Sequence, residues 1–167
     1  MFGSNEGIKR PSRCIRRAIG LAGSCFTGFF EKAAGGVVKT VIVVDDDNNI
    51  RDTIVDILTL EGYSAEGFPS AKGVLERLGK LDVSLVVTDL NMPDIDGMEL
   101  LKSIVETNDK AVHDVPVILL TGAGFEERGA EALQLGAFAC FAKPFNIDEF
   151  IESVVSAIGK PSDATGG

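Results

Sequence analysis

The chain has 167 residues, 45% hydrophobic and 25% charged, a composition typical of one globular domain and not of a disordered or fibrous protein. Its net charge of −9 is divided unevenly: residues 1–39 carry seven bases and two acids (+5), and the remainder carries nine bases and 23 acids (−14). The acidic body argues against nucleic acid as a ligand, and no apolar run reaches the roughly 18 residues that a membrane span requires.

Residues 1–38 form a basic leader that differs from the rest of the chain. Its apolar residues recur at helical spacing: Ile15, Ile19, Ala22, Phe26, Phe29 and Phe30. A basic amphipathic helix over residues 9–30 would lie on an anionic membrane surface or dock on a partner. Three glycines weaken such a helix by about 1 kcal/mol each, so a disordered leader is the alternative. A signal peptide is a third reading, although Glu31 and Lys32 fit poorly beside a cleavage site.

From residue 39 onward, apolar strands alternate with helices. Runs rich in β-branched and apolar residues predict five strands, at 40–44, 63–68, 85–88, 116–120 and 138–142. Helical spacing and capping residues predict five helices: 48–61, one capped by Ser70 and ending near 79, 98–106, 125–135, and one capped by Asn146 and ending near 158. Five βα units with short connections predict an α/β fold with a parallel, doubly wound sheet over residues 39–159. The polar residues 160–167 predict a disordered tail.

Polar residues stand where four of these strands end. Asp45 and Asp46 follow the first strand, Asp89 the third, Thr121 the fourth and Lys143 the fifth. Because the carboxyl ends of parallel strands share one edge, these side chains can converge. Crowded carboxylates repel unless a cation intervenes, and oxygen ligands of this kind suit Mg²⁺. An ammonium and a hydroxyl suit phosphoryl oxygens, and a carboxylate can attack phosphorus, so the pattern predicts phosphoryl chemistry.

The same residues resemble those of the receiver domains of two-component response regulators. The resemblance rests on VVDDD at 43–47, TDLNMPDIDG at 88–97, LLTG at 119–122 and FAKPF at 141–145, in this order and at this spacing. It covers residues 40–158. It implies a flavodoxin-like, five-stranded parallel sheet in the order 2-1-3-4-5 with five helices.

The resemblance also implies a role for each site residue. Asp89 would accept a phosphoryl group from a sensor histidine kinase or a histidine phosphotransfer protein. Thr121 and Lys143 would contact that group, and the bond between Lys143 and Pro144 would be cis. The implied Mg²⁺ ligands are Asp45, Asp46, Asp89 and the carbonyl of Asn91.

These features lead to the expectation of a stand-alone, cytoplasmic response regulator. No output domain follows residue 158, so the signal would pass by protein contact or by phosphoryl relay to an unknown target. The face made by the fourth helix, fifth strand and fifth helix is the first place to look for that target. Such a protein would catalyse only its own phosphorylation and dephosphorylation and would not be an enzyme in the usual sense.

Three alternatives stay open at this stage. The D-x-D-x-N pattern at 45–49 begins like a calcium loop, although Ile50 occupies the place where glycine is needed. Asp45 and Asp47 also resemble the start of a haloacid-dehalogenase-type phosphatase, although Asn49 departs from that pattern. A receiver-like adaptor that works without phosphorylation is the third. His113, the sole histidine, is expected in a surface loop.

Cys140 departs from the pattern of the receivers that the chain resembles. These usually carry Tyr or Phe three residues before the active-site Lys, and a thiol cannot replace that volume or hydroxyl. Phe138 is expected on the same side of the strand as Cys140. Phosphorylation is therefore expected to move the loop after Thr121 and the following helix more than the fifth strand. The three cysteines are widely spaced and form no C-x-x-C, so reduced thiols in the cytosol are expected.

Overall fold

A six-stranded sheet carries the fold of the computed structural model, which describes residues 13–15, 38–79, 82–122 and 125–161. The strands are β1 (Arg13–Ile15), β2 (Thr40–Val44), β3 (Ser64–Phe68), β4 (Val83–Asp89), β5 (Val117–Thr121) and β6 (Ala139–Ala142). The helices are α1 (Asn48–Leu60), α2 (Val74–Leu78), α3 (Gly97–Glu106), α4 (Lys110–His113), α5 (Phe125–Leu135) and α6 (Ile147–Ile158).

The five strands from Thr40 onward are parallel and lie in the order β3-β2-β4-β5-β6. Counted from Thr40 this is 2-1-3-4-5, so the predicted order is confirmed. The strand order reverses at β2, which lies between β3 and β4. In doubly wound sheets such a reversal opens a crevice at the carboxyl ends of the strands.

Strand β1 adds a sixth, antiparallel strand to the five predicted parallel ones. Residues 13–15 pair antiparallel with β6, with Arg13 opposite Phe141 and Ile15 opposite Ala139. At these three positions the leader is a strand and not a helix or disordered chain. An edge strand such as β6 exposes unpaired amide and carbonyl groups, which an extended segment of the same chain can satisfy.

The remaining leader residues, 1–12 and 16–37, lie outside the described residues, as does most of the predicted tail, at 162–167. Residues 160 and 161 of that tail are described. The ammonium of Lys39 donates a hydrogen bond of 2.7 Å to the carbonyl of Lys160, which ties the start of the tail to the start of the domain.

Two hydrophobic cores lie on opposite faces of the sheet. Helices α1 and α6 cover one face, where their buried apolar residues pack on β2, β4, β5 and β6. Helices α2 to α5 cover the other face and contribute Val74, Leu101, Val112 and Ala132. Among the described helices, none has both the length and the apolar character needed to cross a bilayer.

The number of helices and one helix start differ from the predictions. The loop expected around His113 contains a short helix, α4, because Asp109 caps it and Val112 is buried in the core. Helix α2 begins at Val74 and not after Ser70. The reason is Gly73, which precedes α2 with a φ of 84°, a left-handed conformation that a helix beginning at Ser70 could not contain.

Capping residues set the end of α5 and the start of α6 at the predicted positions, and Asp47 is a further cap. Asn146 caps α6 by accepting hydrogen bonds from two backbone amides, and Gly136 ends α5 with a φ of 117°. Asp47 caps α1 through the amides of Asn49 and Ile50. A helix that starts directly after Asp47 leaves no room for a twelve-residue calcium loop, so the calcium-loop alternative is wrong.

Deletion of residues 1–36 is expected to lower the free energy of unfolding by less than about 2 kcal/mol. A three-residue edge strand adds a few hydrogen bonds, each contributing about 1 kcal/mol net, and ordering its backbone costs a similar amount. Urea unfolding of the full and shortened chains would measure the difference. A larger loss would identify the leader as a packed part of the domain.

Candidate functional site

Four of the predicted site residues converge at the carboxyl edge of the sheet: Asp45, Asp46, Asp89 and Lys143. Carboxylate oxygens of Asp45, Asp46 and Asp89 lie within 4.8 Å of one another. Asp45 and Asp89 are buried and Asp46 is exposed, so the cluster opens to solvent on one side. Thr121 ends β5 and Lys143 follows β6 at the same edge.

The ammonium of Lys143 lies between two of these carboxylates. Its Nζ is 2.6 Å from Oδ2 of Asp45 and 3.1 Å from Oδ1 of Asp89. Burial by itself would lower the pKa of Lys143, but the hydrogen bonds to Asp45 and Asp89 outweigh it and raise that pKa above its ordinary value. Lys143 therefore presents a permanent positive charge to the site.

The loop that carries Lys143 is held from several directions. The amide of Lys143 donates a hydrogen bond of 2.7 Å to the carbonyl of Thr121, which ties the loop to β5. The rings of Phe141, Phe145 and Phe150 pack together, with centroids 5.4 to 6.0 Å apart. The Lys143–Pro144 peptide bond is cis, as the resemblance implied.

Asp45 is fixed by its own backbone and by neighbouring groups. Its amide donates to the carbonyl of Phe68 at 3.1 Å, and its carbonyl accepts from the Arg51 guanidinium at 3.0 Å. Its Oδ1 accepts from the amide of Asp47 at 2.9 Å. One carboxylate oxygen is thus held by the backbone, while the other accepts from Lys143. Asp47 itself is a helix cap and lies outside the acidic cluster.

The charged form of Asp89 is disfavoured by its surroundings. Burial raises the pKa of Asp89 above its ordinary value, and the negative charges of Asp45 and Asp46 act in the same direction, against the opposing effect of Lys143. A carboxylate in this environment gains from a bound cation or from conversion to an ester, because either relieves the unfavourable charge.

Asp89→Asn is therefore expected to stabilise the protein in metal-free buffer at pH 7. A carboxyl group whose pKa is higher in the folded than in the unfolded state makes folding less favourable as the pH rises through that range. We expect a thermal midpoint at least ~2 °C above that of the wild type, with the difference vanishing below about pH 4. Thermal unfolding in EDTA at several pH values measures this, and a lower midpoint for the variant would show that pairing with Lys143 dominates.

Asn91 lies on the exposed loop after β4, and its side chain has a partner that the sequence did not reveal. Arg128 of α5 donates to Oδ1 of Asn91 at 2.8 Å and to Oδ2 of Asp96 at 2.7 Å. These partners lie 37 and 32 residues away in the sequence, and no local pattern marks such a contact. Burial would raise the pKa of Asp96, but hydrogen bonds from the amides of Glu99 and Met98 and from Arg128 lower it.

The surroundings of Cys140 differ in part from expectation. Cys140 is buried in the core on the side of α5, whereas Phe138 packs against the opposite core, the cluster that contains Phe141. The expectation that Phe138 shares the face of Cys140 is wrong. Strand β6 begins at Ala139, so the alternation of side chains does not extend back to Phe138. The side chain of His113 is half exposed, as expected for a surface residue.

The fold and the site together define a doubly wound α/β domain with an acidic site at the carboxyl ends of its strands. The family model described as "response regulator receiver domain" matches residues 41–155. The chain belongs to this family, the receiver domains of two-component signalling. The haloacid-dehalogenase alternative is therefore wrong as to family.

Curated relatives and solved structures agree with this assignment. FixJ, a transcriptional regulatory protein of Bradyrhizobium diazoefficiens, is 33% identical over 115 residues, which are 69% of this chain and 54% of FixJ. The C4-dicarboxylate transport regulator DctD of Rhizobium meliloti is 33% identical over 105 residues, 63% of this chain and 22% of DctD. This chain thus matches about half of one relative and under a quarter of the other.

Two solved receiver structures superpose on most of the described domain. The crystal structure named FixJ-N has a TM-score of 0.64 and 32% identity, and the match covers 71% of this chain and 92% of that one. A response regulator receiver domain protein from Clostridium thermocellum has a TM-score of 0.66 and 27% identity, with 72% and 94% covered.

Proposed function

We propose that this receiver domain is a phosphoacceptor switch in which Asp89 takes a phosphoryl group from the phosphohistidine of a sensor histidine kinase or a histidine phosphotransfer protein. The observation that carries the proposal is the position of Asp89, which lies beside two further carboxylates and one ammonium at the open edge of the sheet. The domain would catalyse this reaction and its reversal by hydrolysis only on itself.

The site supplies the nucleophile and two of the groups that would bind the transferred phosphoryl group. A carboxylate oxygen of Asp89 attacks phosphorus, an O–P bond forms, and the N–P bond of the phosphohistidine breaks. The imidazole nitrogen keeps the electron pair of that bond and takes up a proton from solvent. Lys143, already 3.1 Å from Asp89, would bind an oxygen of the transferred group, and the Thr121 hydroxyl would donate to another.

The donor set fits Mg²⁺. Three carboxylates within 4.8 Å of one another are hard oxygen ligands. Burial, together with the charges of Asp45 and Asp46, raises the pKa of Asp89 despite Lys143, so a bound cation would favour its charged form. We infer that Asp45, Asp46, Asp89 and the carbonyl of Asn91 hold the ion. When bound, Mg²⁺ would stabilise the negative charge on the phosphoryl oxygens.

We infer that the phosphodonor reaches Asp89 over the rim beside Lys143. An apolar groove of about 530 Å³ opens there, between α1 and the start of α6. Ile54, Phe145 and the half-exposed Ile147 are among the residues that line it. Because Lys143 contacts the acidic site and also lines this groove, we propose that the groove receives the apolar surface around the donor's histidine. The face of α5, β6 and α6 remains the proposed contact for the target protein, although β1 pairs along the β6 edge within it.

Labelling with a small phosphodonor tests the function without knowledge of the kinase. The protein is incubated with acetyl phosphate and Mg²⁺ and its intact mass is recorded. We expect the protein to take up a single phosphoryl group in Mg²⁺ and none when EDTA is present. No uptake in Mg²⁺ would favour the adaptor that works without phosphorylation, and repeated turnover of an external phosphoester would favour a phosphatase.

A further inference from the structure

We propose that Arg128 is a positioning residue that couples the state of the phosphoacceptor loop to helix α5. This inference rests on the proposed function, because it concerns how phosphorylation of Asp89 reaches the surface of the domain. Its basis is the pair of hydrogen bonds from one guanidinium on α5 to Asn91 and Asp96, the two ends of the loop after Asp89.

The guanidinium spans the loop. Its Nη1 donates to Oδ1 of Asn91 at 2.8 Å and its Nη2 to Oδ2 of Asp96 at 2.7 Å. Asp96 is also the cap of α3 and accepts from the amide of Met98 at 2.8 Å through its other oxygen. Arg128 and Asp96 are each about one-third exposed, so the contact can break without uncovering a buried charge.

The loop is attached directly to the backbone around Asp89. The amide of Leu90 donates to the carbonyl of Leu120 at 2.7 Å, and the amide of Gly97 donates to the carbonyl of Leu90 at 3.1 Å. Asn91, whose carbonyl is a proposed Mg²⁺ ligand, is only two residues from Asp89. A change of charge or ligation at Asp89 therefore acts on a segment whose side chains hold Arg128.

Helix α5 is connected to the site at a second point. It comes after the segment that begins at Thr121, the residue proposed to contact the phosphoryl group. On β6, Cys140 replaces the aromatic residue, and the nearby Phe138 packs in the opposite core. Helix α5 follows Thr121 in the sequence and is held to the loop after β4 by Arg128, so we expect it to respond more than β6 when the site changes.

The experiment tracks backbone amide shifts by NMR on addition of beryllofluoride and Mg²⁺, a probe that stands in for the phosphoryl group. In the wild type we expect shifts around Asp89 and along α5. In Arg128→Met, which keeps the apolar stem, we expect the shifts around Asp89 to persist and those in residues 126–135 to fall at least two-fold. The matched control is Glu131→Gln, an exposed position on the same helix, which should respond like the wild type.

A second variant separates coupling from a merely structural role. Asn91→Ala removes Oδ1 but keeps the backbone carbonyl, so it should also reduce the amide shifts in α5. In the variant that combines Asn91→Ala with Arg128→Met, these shifts should be no smaller than in Arg128→Met alone. Should Arg128→Met fold poorly, Asn91→Ala with Arg128→Lys provides the same comparison. An undiminished response of α5 in Arg128→Met or Asn91→Ala, with shifts around Asp89 intact, would overturn the coupling. Absence of any shift around Asp89 in the wild type would instead overturn the proposed function.

Discussion

Asp89→Asn is expected to lower phosphoryl uptake from acetyl phosphate by at least about 100-fold, because the variant loses the nucleophile itself. An amide oxygen is a poor nucleophile toward phosphorus, and the neighbouring Asp45 accepts hydrogen bonds from Lys143 and from the amide of Asp47. The fold should persist, since Asn has the same shape and removes a charge that burial disfavours. Intact mass measured over time in Mg²⁺ would give the rate.

The matched control is Asp47→Asn. Asp47 lies two residues from Asp45, and its substitution by Asn removes one negative charge, as Asp89→Asn does. The side chain of Asp47, however, caps α1 and lies outside the acidic cluster. Asn is an equally good cap, so this variant should label at close to the wild-type rate. Labelling of Asp89→Asn at the wild-type rate would show that another residue is the acceptor, and peptide mapping would then identify it.

Gly97→Ala is expected to lower the free energy of unfolding by about 2–3 kcal/mol, because the added methyl group has no room. The Cβ atom would overlap the carbonyl oxygen of Asp89 and lie 3.1 Å from a methyl carbon of Leu119. Backbone must move to relieve such an overlap, and the amide of Gly97 is hydrogen-bonded to Leu90. The same displacement would shift Asp89, so slower labelling should accompany the loss of stability.

Gly79→Ala provides the control for this substitution. Gly79 ends α2 with a φ of −72°, which alanine adopts freely, and its added Cβ would meet only the carbonyl oxygens of Leu75 and Glu76, at 3.8 and 3.9 Å. The expected change is within about 0.5 kcal/mol. Urea unfolding of both variants measures the difference. A similar change in the free energy of unfolding for the two would mean that the backbone before α3 adjusts to the added methyl group at little cost.

Much of the fold and of the site was predictable from the sequence because the signals are local. Each parallel strand is a short apolar run, and Asp45, Asp89 and Lys143 stand where such runs end. Since parallel strands share one carboxyl edge, chain order was enough to predict that these three side chains converge. Gly136 and Asn146 set helix ends through their own backbone or side-chain hydrogen bonds, which again depend only on neighbours in sequence.

Other features depend on which elements meet in space. Arg128 reaches Asn91 and Asp96 only because α5 packs beside the loop after β4, and β1 pairs with β6 across more than 120 residues of chain. Phe138 enters the core under α1 and α6 because β6 begins one residue later. Such contacts depend on packing between elements that are distant in sequence. No local or periodic pattern of residues therefore predicts them.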